Sequence, residues 1–209
     1  SSLATPCRRQ HASAAIASCC GFAKAAVTAI PDRPISFEVF SDEFDEMERQ
    51  GRTIATWGDT VYVQIPVTNT QGGFAGALIK RLTGAGVKVN VTALMTIEQV
   101  REVSKNLTAG VPSCVSVFAG RIADTGRDPL PIMQESLVVL DSIDGAKLIW
   151  ASPRELLNIF QADEIGCHVI TVTNDILKKL SLVGYDLNDY SLDTVKMFYT
   201  DAIAAGFKL

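Results

Sequence analysis

From Ile35 onward, short apolar runs rich in β-branched residues alternate with longer stretches whose apolar residues recur at helical spacing. The short runs predict buried strands, and the longer stretches predict amphipathic helices. Strands that are each followed by a helix favour a parallel sheet. The pattern therefore predicts six strand–helix units. The predicted strands are residues 35–40, 61–67, 88–94, 113–118, 148–151 and 168–172.

Helix start signals accompany several of these units. Ser41 is expected to cap the helix after the first strand, and Thr96 with Gln99 predicts a capping box. Residues 152–155 (Ser-Pro-Arg-Glu) combine an N-cap, a proline at the first helical position and a glutamate three residues after the cap, which predicts a further helix start. Residues 120–128 are predicted to form a polar loop.

Even spacing around one core favours a barrel over an open doubly wound sheet, and no G-x-G-x-x-G follows a predicted strand. The predicted fold class is α/β, a (β/α)8 TIM barrel that is incomplete at its N-terminus, since a full barrel has eight strands. Residues 1–34 contain one predicted helix, 20–30, and no predicted strand. We therefore expect an irregular or helical segment, 1–34, and a barrel domain, 35–209, whose last helix begins at Ser191.

Composition and charge exclude several classes of protein. The formal net charge is −4 and no basic stripe is present, which argues against nucleic-acid binding. No run of 18 uncharged apolar residues occurs, so no membrane span is expected. The five cysteines show neither C-x-x-C nor histidine-partnered spacing, which predicts small buried hydrophobes or free thiols in a reducing compartment and no metal site.

Residues 1–31 differ in composition from the rest of the chain. They contain three basic residues and no acidic one, and they are rich in Ser and Ala. Such a composition is typical of the remnant of an organelle transit peptide, and a trimmed N-terminus without a targeting role is the alternative. We expect a protein of the cytoplasm or of an organelle matrix (plastid or mitochondrion) rather than a secreted one.

One polar side chain interrupts the predicted strand 61–67, which otherwise has the pattern of a fully buried strand. Gln64 lies in the run Val-Tyr-Val-Gln-Ile-Pro. A buried amide without hydrogen-bond partners costs about 1–3 kcal/mol. Gln64 is therefore expected either to have polar neighbours or to belong to a functional site.

Polar residues near the C-terminal ends of the predicted strands indicate a site, because function collects at those ends in such barrels. Glu38 has apolar neighbours on both sides and is predicted to point into the barrel, as a site residue or as half of a structural salt bridge. Arg121, Ser152 and Arg154 would converge on a phosphate. The alternative for Ser152 is a purely structural N-cap.

Four segments together resemble the transaldolase family in its short bacterial-type branch. They are residues 61–68 (VYVQIPVT), 89–96 (VNVTALMT), 116–122 (SVFAGRI) and 150–154 (WASPR), within a likeness that extends from about residue 22 to 209. The resemblance implies a (β/α)8 barrel and a transferase that moves a dihydroxyacetone unit between sugar phosphates, as in the pentose phosphate pathway. It also implies a Schiff base on a strand lysine, without metal or organic cofactor.

The resemblance implies roles for individual residues as well. Glu38 resembles the glutamate that helps to hold the catalytic water, Thr92 the threonine beside it, and Phe118 a substrate-pocket residue near the imine. The family's last helix often packs against a neighbouring subunit, so residues 191–207 are a candidate oligomer contact. The sugar phosphate would be bound by Arg121, Ser152 and Arg154.

The chain departs from the family where its chemistry is carried. The Schiff-base lysine is expected within V-K-I-P, where this chain has Gln64. The aspartate of the family's first strand and the asparagine of the T-N-P motif in its second strand have no counterpart. An amide nitrogen offers no free lone pair and cannot form an imine. Lys88 and Lys147 are predicted at strand beginnings and five further lysines on helices, so none is expected to act in place of the missing one.

Two hypotheses follow from these departures. In the first, the chain is a catalytically inactive relative that serves as a structural or interaction subunit. Its open barrel edge is then covered by a partner protein, by another copy of the chain or by residues 1–34. In the second, it is a transaldolase in truncated or altered form. A sensor of phosphate ligands is a third alternative.

Overall fold

The computed structural model describes the backbone of residues 12–207 and the side chains of residues 21–207. Its centre is one sheet of six parallel strands in sequence order, as predicted. Consecutive strands are neighbours because each connecting segment returns the chain to the next position of the same sheet. The strands are β1 (Ile35–Glu38), β2 (Val61–Pro66), β3 (Val89–Leu94), β4 (Ser113–Val117), β5 (Ala146–Trp150) and β6 (Val169–Ile170).

The sheet curls into part of a (β/α) barrel, which confirms the predicted α/β class and the incomplete barrel. Within the described residues, β1 pairs only with β2, and β6 pairs only with β5. The described sheet therefore has two edges rather than a closed circle of strands.

Helices lie between the strands and after the last one. The predicted capping box is confirmed, because Thr96 Oγ1 accepts from the Gln99 N–H at 3.2 Å and Gln99 Oε1 accepts from the Thr96 N–H at 3.1 Å. None of the described helices is long and apolar enough to cross a membrane. The helices are α1 (Ala12–Ala29), α2 (Phe44–Ala55), α3 (Gly76–Gly84), α4 (Ile97–Ser104), α5 (Ala119–Asp124), α6 (Leu130–Asp141), α7 (Leu157–Glu164), α8 (Asn174–Lys178), a 3-10 turn (Lys179–Leu182) and α9 (Leu187–Ala204).

The hydrophobic core lies between one face of the sheet and the helices that connect its strands. Val63 and Ile65 of β2 are fully buried there, together with Leu78 and Leu82 of α3. Burial of each such side chain stabilises the fold by about 1.5–3 kcal/mol. The prediction that β2 is fully buried is wrong, because buried and partly buried residues alternate along it. Only one face of this strand belongs to the core.

The predicted helix start at residues 152–155 is wrong. The helix α7 begins at Leu157, and Ser152 instead has a φ of +57°, in the left-handed region that non-glycine residues rarely adopt. The N-cap position of α7 is Leu156, without a side-chain cap. The Asn158 side chain, inside the helix, instead binds the preceding segment, since its Oδ1 accepts from the N–H of Arg154 at 2.8 Å and from that of Glu155 at 3.1 Å. The interpretation of Ser152 as a structural N-cap is thereby excluded.

Three other boundaries also differ from the predictions. The predicted loop 120–128 contains most of the helix α5. The N-cap of α2 is Glu43 rather than Ser41, whose Oγ accepts from the Glu43 N–H at 3.1 Å. The last helix begins at Leu187, earlier than the predicted Ser191.

The chain divides into two compact units, one that ends at Thr173 and one that begins at Asn174. The first contains the sheet and the helices α1 to α7, and the second contains α8, the 3-10 turn and α9. The domain boundary predicted between residues 34 and 35 stays a prediction. What the sequence suggested for residues 1–11 lies outside the described residues.

Candidate functional site

The face of the sheet that points away from the core, here called the inner face, carries most of the polar side chains of the strands. Side chains alternate between the two faces of a strand, so the residues between core positions share this second face. Because the strands are parallel, all their C-terminal ends lie at the same edge of the sheet. The loops that follow these ends hold the functional sites in such barrels. The inner-face residues are Ser36, Glu38, Tyr62, Gln64, Asn90, Thr92, Cys114, Ser116, Lys147 and Ile149.

Gln64 is partly exposed on the inner face rather than enclosed in the core. It is in register with Glu38 of β1 and Asn90 of β3. Its side-chain amide makes no hydrogen bond to the described part of the chain, and solvent can reach it. The need for a buried polar partner, inferred from the sequence, therefore does not arise.

Glu38 lies on the inner face at the end of β1, in agreement with its predicted direction, but its side chain is not buried. The residue is exposed by surface area, and no described side chain forms a salt bridge or hydrogen bond with it. Partial withdrawal of the carboxyl from solvent nevertheless raises the pKa of Glu38 above its ordinary value of 4.5. The structural salt bridge considered as an alternative is absent among the described residues.

A chain of hydrogen bonds crosses the inner face through Asn90. Its Nδ2 donates to Ser36 Oγ at 3.1 Å, and its Oδ1 accepts from Ser116 Oγ at 2.8 Å. Asn90 and Ser116 are 7% and 4% exposed, so these contacts fix two buried polar side chains. Neither was selected from the sequence, although Asn90 lies two residues before Thr92 and Ser116 lies two before Phe118. Residues two apart on a strand share a face, and this periodicity could have identified both residues from the sequence.

Thr92 is buried beside this network, at the C-terminal end of β3. The next residue, Ala93, has a φ of +67°, and the register of β3 against β4 shifts between Val91 and Leu94. Such an irregularity redirects side chains at the end of a strand. The backbone carbonyl of Thr92 accepts from the Val67 N–H at 2.9 Å, which ties this strand end to the end of β2.

Lys147 is the only lysine in the described strands, and it is the second residue of β5, as the predicted position at a strand beginning requires. It is in register with Cys114 of β4. Burial raises the pKa of Cys114 to about 11, and the positive charge of Lys147 offsets part of this rise.

Lys88 precedes β3, where its Nζ donates to the Asp59 carbonyl. The described residues contain no cluster of metal-ligand type.

The loops after β4 and β5 touch through Gly120. Its N–H donates to the Ala151 carbonyl at 3.3 Å. A Cβ at this position would lie 1.5 Å from the Ser152 carbonyl oxygen and 3.3 Å from Arg154 Cγ. Only glycine therefore fits here without moving the backbone. This contact, together with the left-handed Ser152, sets how closely the two loops approach.

The two loops carry the three residues predicted to bind phosphate. The Arg121 guanidinium lies over the Phe118 ring, with its Cζ 5.6 Å from the ring centroid. Arg154 forms an ion pair with Asp124 of α5. Both arginines are exposed, and the Ser152 hydroxyl makes no hydrogen bond to the described residues. The arrangement offers two cations and a hydroxyl to an anion.

A second pair of loops meets at the same end of the sheet. The Asp42 carboxylate accepts from the Thr70 N–H at 2.7 Å and from Thr70 Oγ1 at 2.6 Å. These bonds lower the pKa of Asp42. They hold the segment after β2, the strand that carries Gln64, against the segment after β1.

Comparison with known proteins gives a family match over nearly the whole chain. Residues 6–208 match the family described as Transaldolase/Fructose-6-phosphate aldolase. A probable transaldolase of Thermoanaerobacter sp. (strain X514) is 32% identical over 184 residues, which are 88% of this chain and 79% of the relative. Probable transaldolase 2 of Listeria monocytogenes is 34% identical over 155 residues, 74% of this chain and 67% of the relative.

Similarity to solved structures is weaker. A mandelate oxidase mutant with an FMN adduct superposes with a TM-score of 0.48 at 14% identity, covering 70% of this chain and 50% of that one. The chain thus spans about half the length of that structure. A likeness at this score carries no argument about fold or function.

Proposed function

Because the chain belongs to the transaldolase/fructose-6-phosphate aldolase family, we propose that it binds sugar phosphates without performing Schiff-base chemistry. The inner face would hold the sugar, and the loops after β4 and β5 would hold its phosphate. Glu38, Thr92 and Phe118 line the path between these two parts in this proposal. The chain would then act as a binding or structural relative of transaldolases rather than as a transferase.

Gln64 is the observation that carries this proposal. It occupies the inner face of β2, partly exposed, at the position where the family resemblance expects the amine. An imine needs a nitrogen whose lone pair attacks the substrate carbonyl, and the amide lone pair is delocalised into its own carbonyl. A substrate that reaches Gln64 can be hydrogen-bonded by it but cannot be bound covalently.

Lys147 does not remove this difficulty. Along the register it is three strands from Gln64, since Gln64 pairs with Asn90, Asn90 with Cys114 and Cys114 with Lys147. Three spacings of about 4.8 Å separate the two positions by roughly 14 Å along the sheet. Lys147 also lies in the first half of β5, away from the loops that carry Arg121 and Ser152.

Binding without turnover is the experimental signature of this function. Calorimetric titration with fructose 6-phosphate is expected to show saturable binding, and Arg154→Ala should weaken it. Transfer of the three-carbon unit to an aldose phosphate acceptor, followed by product formation, should stay at the level of the buffer blank. Turnover by the purified chain, abolished by Gln64→Ala, would refute the proposal. Absence of any binding would refute the phosphate site itself.

A transaldolase in altered form is the second candidate. The observation in its favour is that Glu38, Thr92 and the Asn90–Ser116 hydrogen bond share one face of the sheet although the amine is absent. With a nucleophile added, such an arrangement would resemble a catalytic site more closely, although the family's first-strand aspartate would still have no counterpart. Gln64→Lys tests this candidate, since it should then confer measurable transfer activity with fructose 6-phosphate.

The last helix supports a role in assembly. The helix α9 has no buried residue, and apolar side chains are exposed along its length. Large exposed apolar surface marks an interaction site. We propose a homo-oligomer in which α9 contacts another copy of the chain. The variants Val195→Asp and Phe198→Asp should then have the mass of the monomer when measured by light scattering. The same mass in both forms would exclude this contact. The exposed residues are Leu187, Tyr190, Leu192, Val195, Met197, Phe198, Tyr199 and Ile203.

A further inference from the structure

Asp124 joins the helix α5 to the loop after β5 through its carboxylate. It lies three residues after Arg121 on the same helix, a spacing at which the two side chains could pair. The structure instead pairs Asp124 Oδ2 with Arg154 Nη2, while Arg121 stacks on Phe118. Asp124 therefore connects two structural elements rather than stabilising its own helix.

The ion pair leaves most of the Arg154 guanidinium available. Asp124 contacts Nη2, and neither Nε nor Nη1 donates to any described residue. An arginine presents five N–H donors in a fixed planar fork, so an anion can be bound by the remaining edge while the first contact persists. Both partners are about half exposed, at 52% and 51% of the side-chain area, so an anion from solvent can reach them.

The stem of Arg154 is placed by the same helix. Its Cγ lies close to Gly120, one residue before Arg121. Without a carboxylate on α5, the long side chain of Arg154 would be free to rotate away. Asp124 supplies the negative charge that holds the Arg154 guanidinium at α5.

We propose that Asp124 is a positioning residue for the phosphate site: it orients Arg154 so that Arg121, Ser152 and Arg154 act on one anion. This inference rests on the proposed phosphate site. The effect of Asp124 on phosphate affinity is then opposite to that expected from simple competition. In simple competition, an acidic residue beside a phosphate weakens binding, because it occupies the arginine and repels the ligand. Removal of Asp124 should therefore weaken phosphate binding.

Titration with inorganic phosphate at fixed pH and ionic strength tests this inference. Asp124→Ala is expected to raise the Kd about two- to fivefold, the range given by exposed ion pairs, and Asp124→Asn to raise it less because one acceptor oxygen remains. Asp163→Ala is the matched control, since it removes the same charge from an exposed position on α7. Its Kd should equal that of the native chain. An unchanged or lower Kd for Asp124→Ala overturns the inference.

A double-mutant cycle separates positioning from a general structural effect. If Asp124 acts through Arg154, Asp124→Ala should have no further effect on the Kd in an Arg154→Ala background. A further loss of equal size in that background overturns the inference. If the native chain does not bind phosphate, or Arg154→Ala leaves the Kd unchanged, the phosphate site itself is refuted and the inference falls with it. Thermal unfolding of each variant shows whether the fold is retained.

Discussion

Glu38 of β1 and Gln64 of β2 are in-register neighbours on the inner face of the sheet. Neighbouring strands are about 4.8 Å apart, so the carboxyl and the amide lie side by side. A lysine at position 64 would place a positive charge beside the carboxyl and lower its pKa. Gln64 is neutral and provides no such charge, and desolvation by partial burial raises the pKa of Glu38. With Gln64 in place of a lysine, this position has neither an amine nucleophile nor a positive charge to balance the Glu38 carboxylate.

The raised pKa of Glu38 predicts a pH-dependent stability. A carboxyl that binds its proton more tightly in the folded state stabilises the fold below the ordinary pKa of 4.5, and this contribution is lost as the pH rises through the folded pKa. Glu38→Gln should therefore raise the free energy of unfolding at pH 7 by about 0.5 kcal/mol or less, since the residue is exposed, and should change nothing near pH 4. Urea denaturation at both pH values measures it. A variant less stable than the native chain at pH 7 would contradict the argument.

The Ser116–Asn90 hydrogen bond predicts a cost for removing the hydroxyl. Ser116→Ala leaves the buried Asn90 Oδ1 without its donor and should lower the free energy of unfolding by about 1–3 kcal/mol. Ser104→Ala is the control, because its exposed hydroxyl bonds only the Arg101 carbonyl of its own helix, and it should stay within about 0.5 kcal/mol. Equal denaturation midpoints for the two variants would show that the inner-face network contributes nothing.

The approach of two loops at Gly120 predicts a large difference between two glycine substitutions. Gly120→Ala would place a Cβ 1.5 Å from the Ser152 carbonyl oxygen, so the backbone must move, at the upper end of about 1–3 kcal/mol. Gly84→Ala, at the end of α3, meets nothing within 4 Å and should be neutral or stabilising by up to about 1 kcal/mol. Calorimetric melting of both variants measures the difference. Similar melting temperatures would mean that the loops adjust freely.

The six strands and their order could be predicted because apolar runs and helix signals repeat along the chain. The Thr96–Gln99 box was predictable for a local reason, since its two hydrogen bonds join residues three apart. The family resemblance, carried by four short segments, is confirmed by the match over residues 6–208. These features depend on neighbours in sequence or on motifs, and the sequence contains both.

Other features depend on contacts that no local pattern contains. Residues 152–155 have every sign of a helix start, yet Ser152 is left-handed where its carbonyl lies against Gly120, and the next helix begins only at Leu157. The exposure of Gln64 and Glu38 was missed because apolar neighbours suggested burial, whereas the inner face is open. The pairing of Asp124 with Arg154 rather than Arg121 likewise follows from how two loops meet.

Borohydride trapping tests the central claim, that Gln64 leaves this chain without a Schiff-base amine. The native chain is incubated with fructose 6-phosphate, reduced with sodium borohydride and measured by intact mass spectrometry, with Gln64→Lys treated in parallel. The account predicts an unchanged mass for the native chain and a reduced adduct at position 64 for the variant. An adduct on any lysine of the native chain, Lys147 above all, would contradict it.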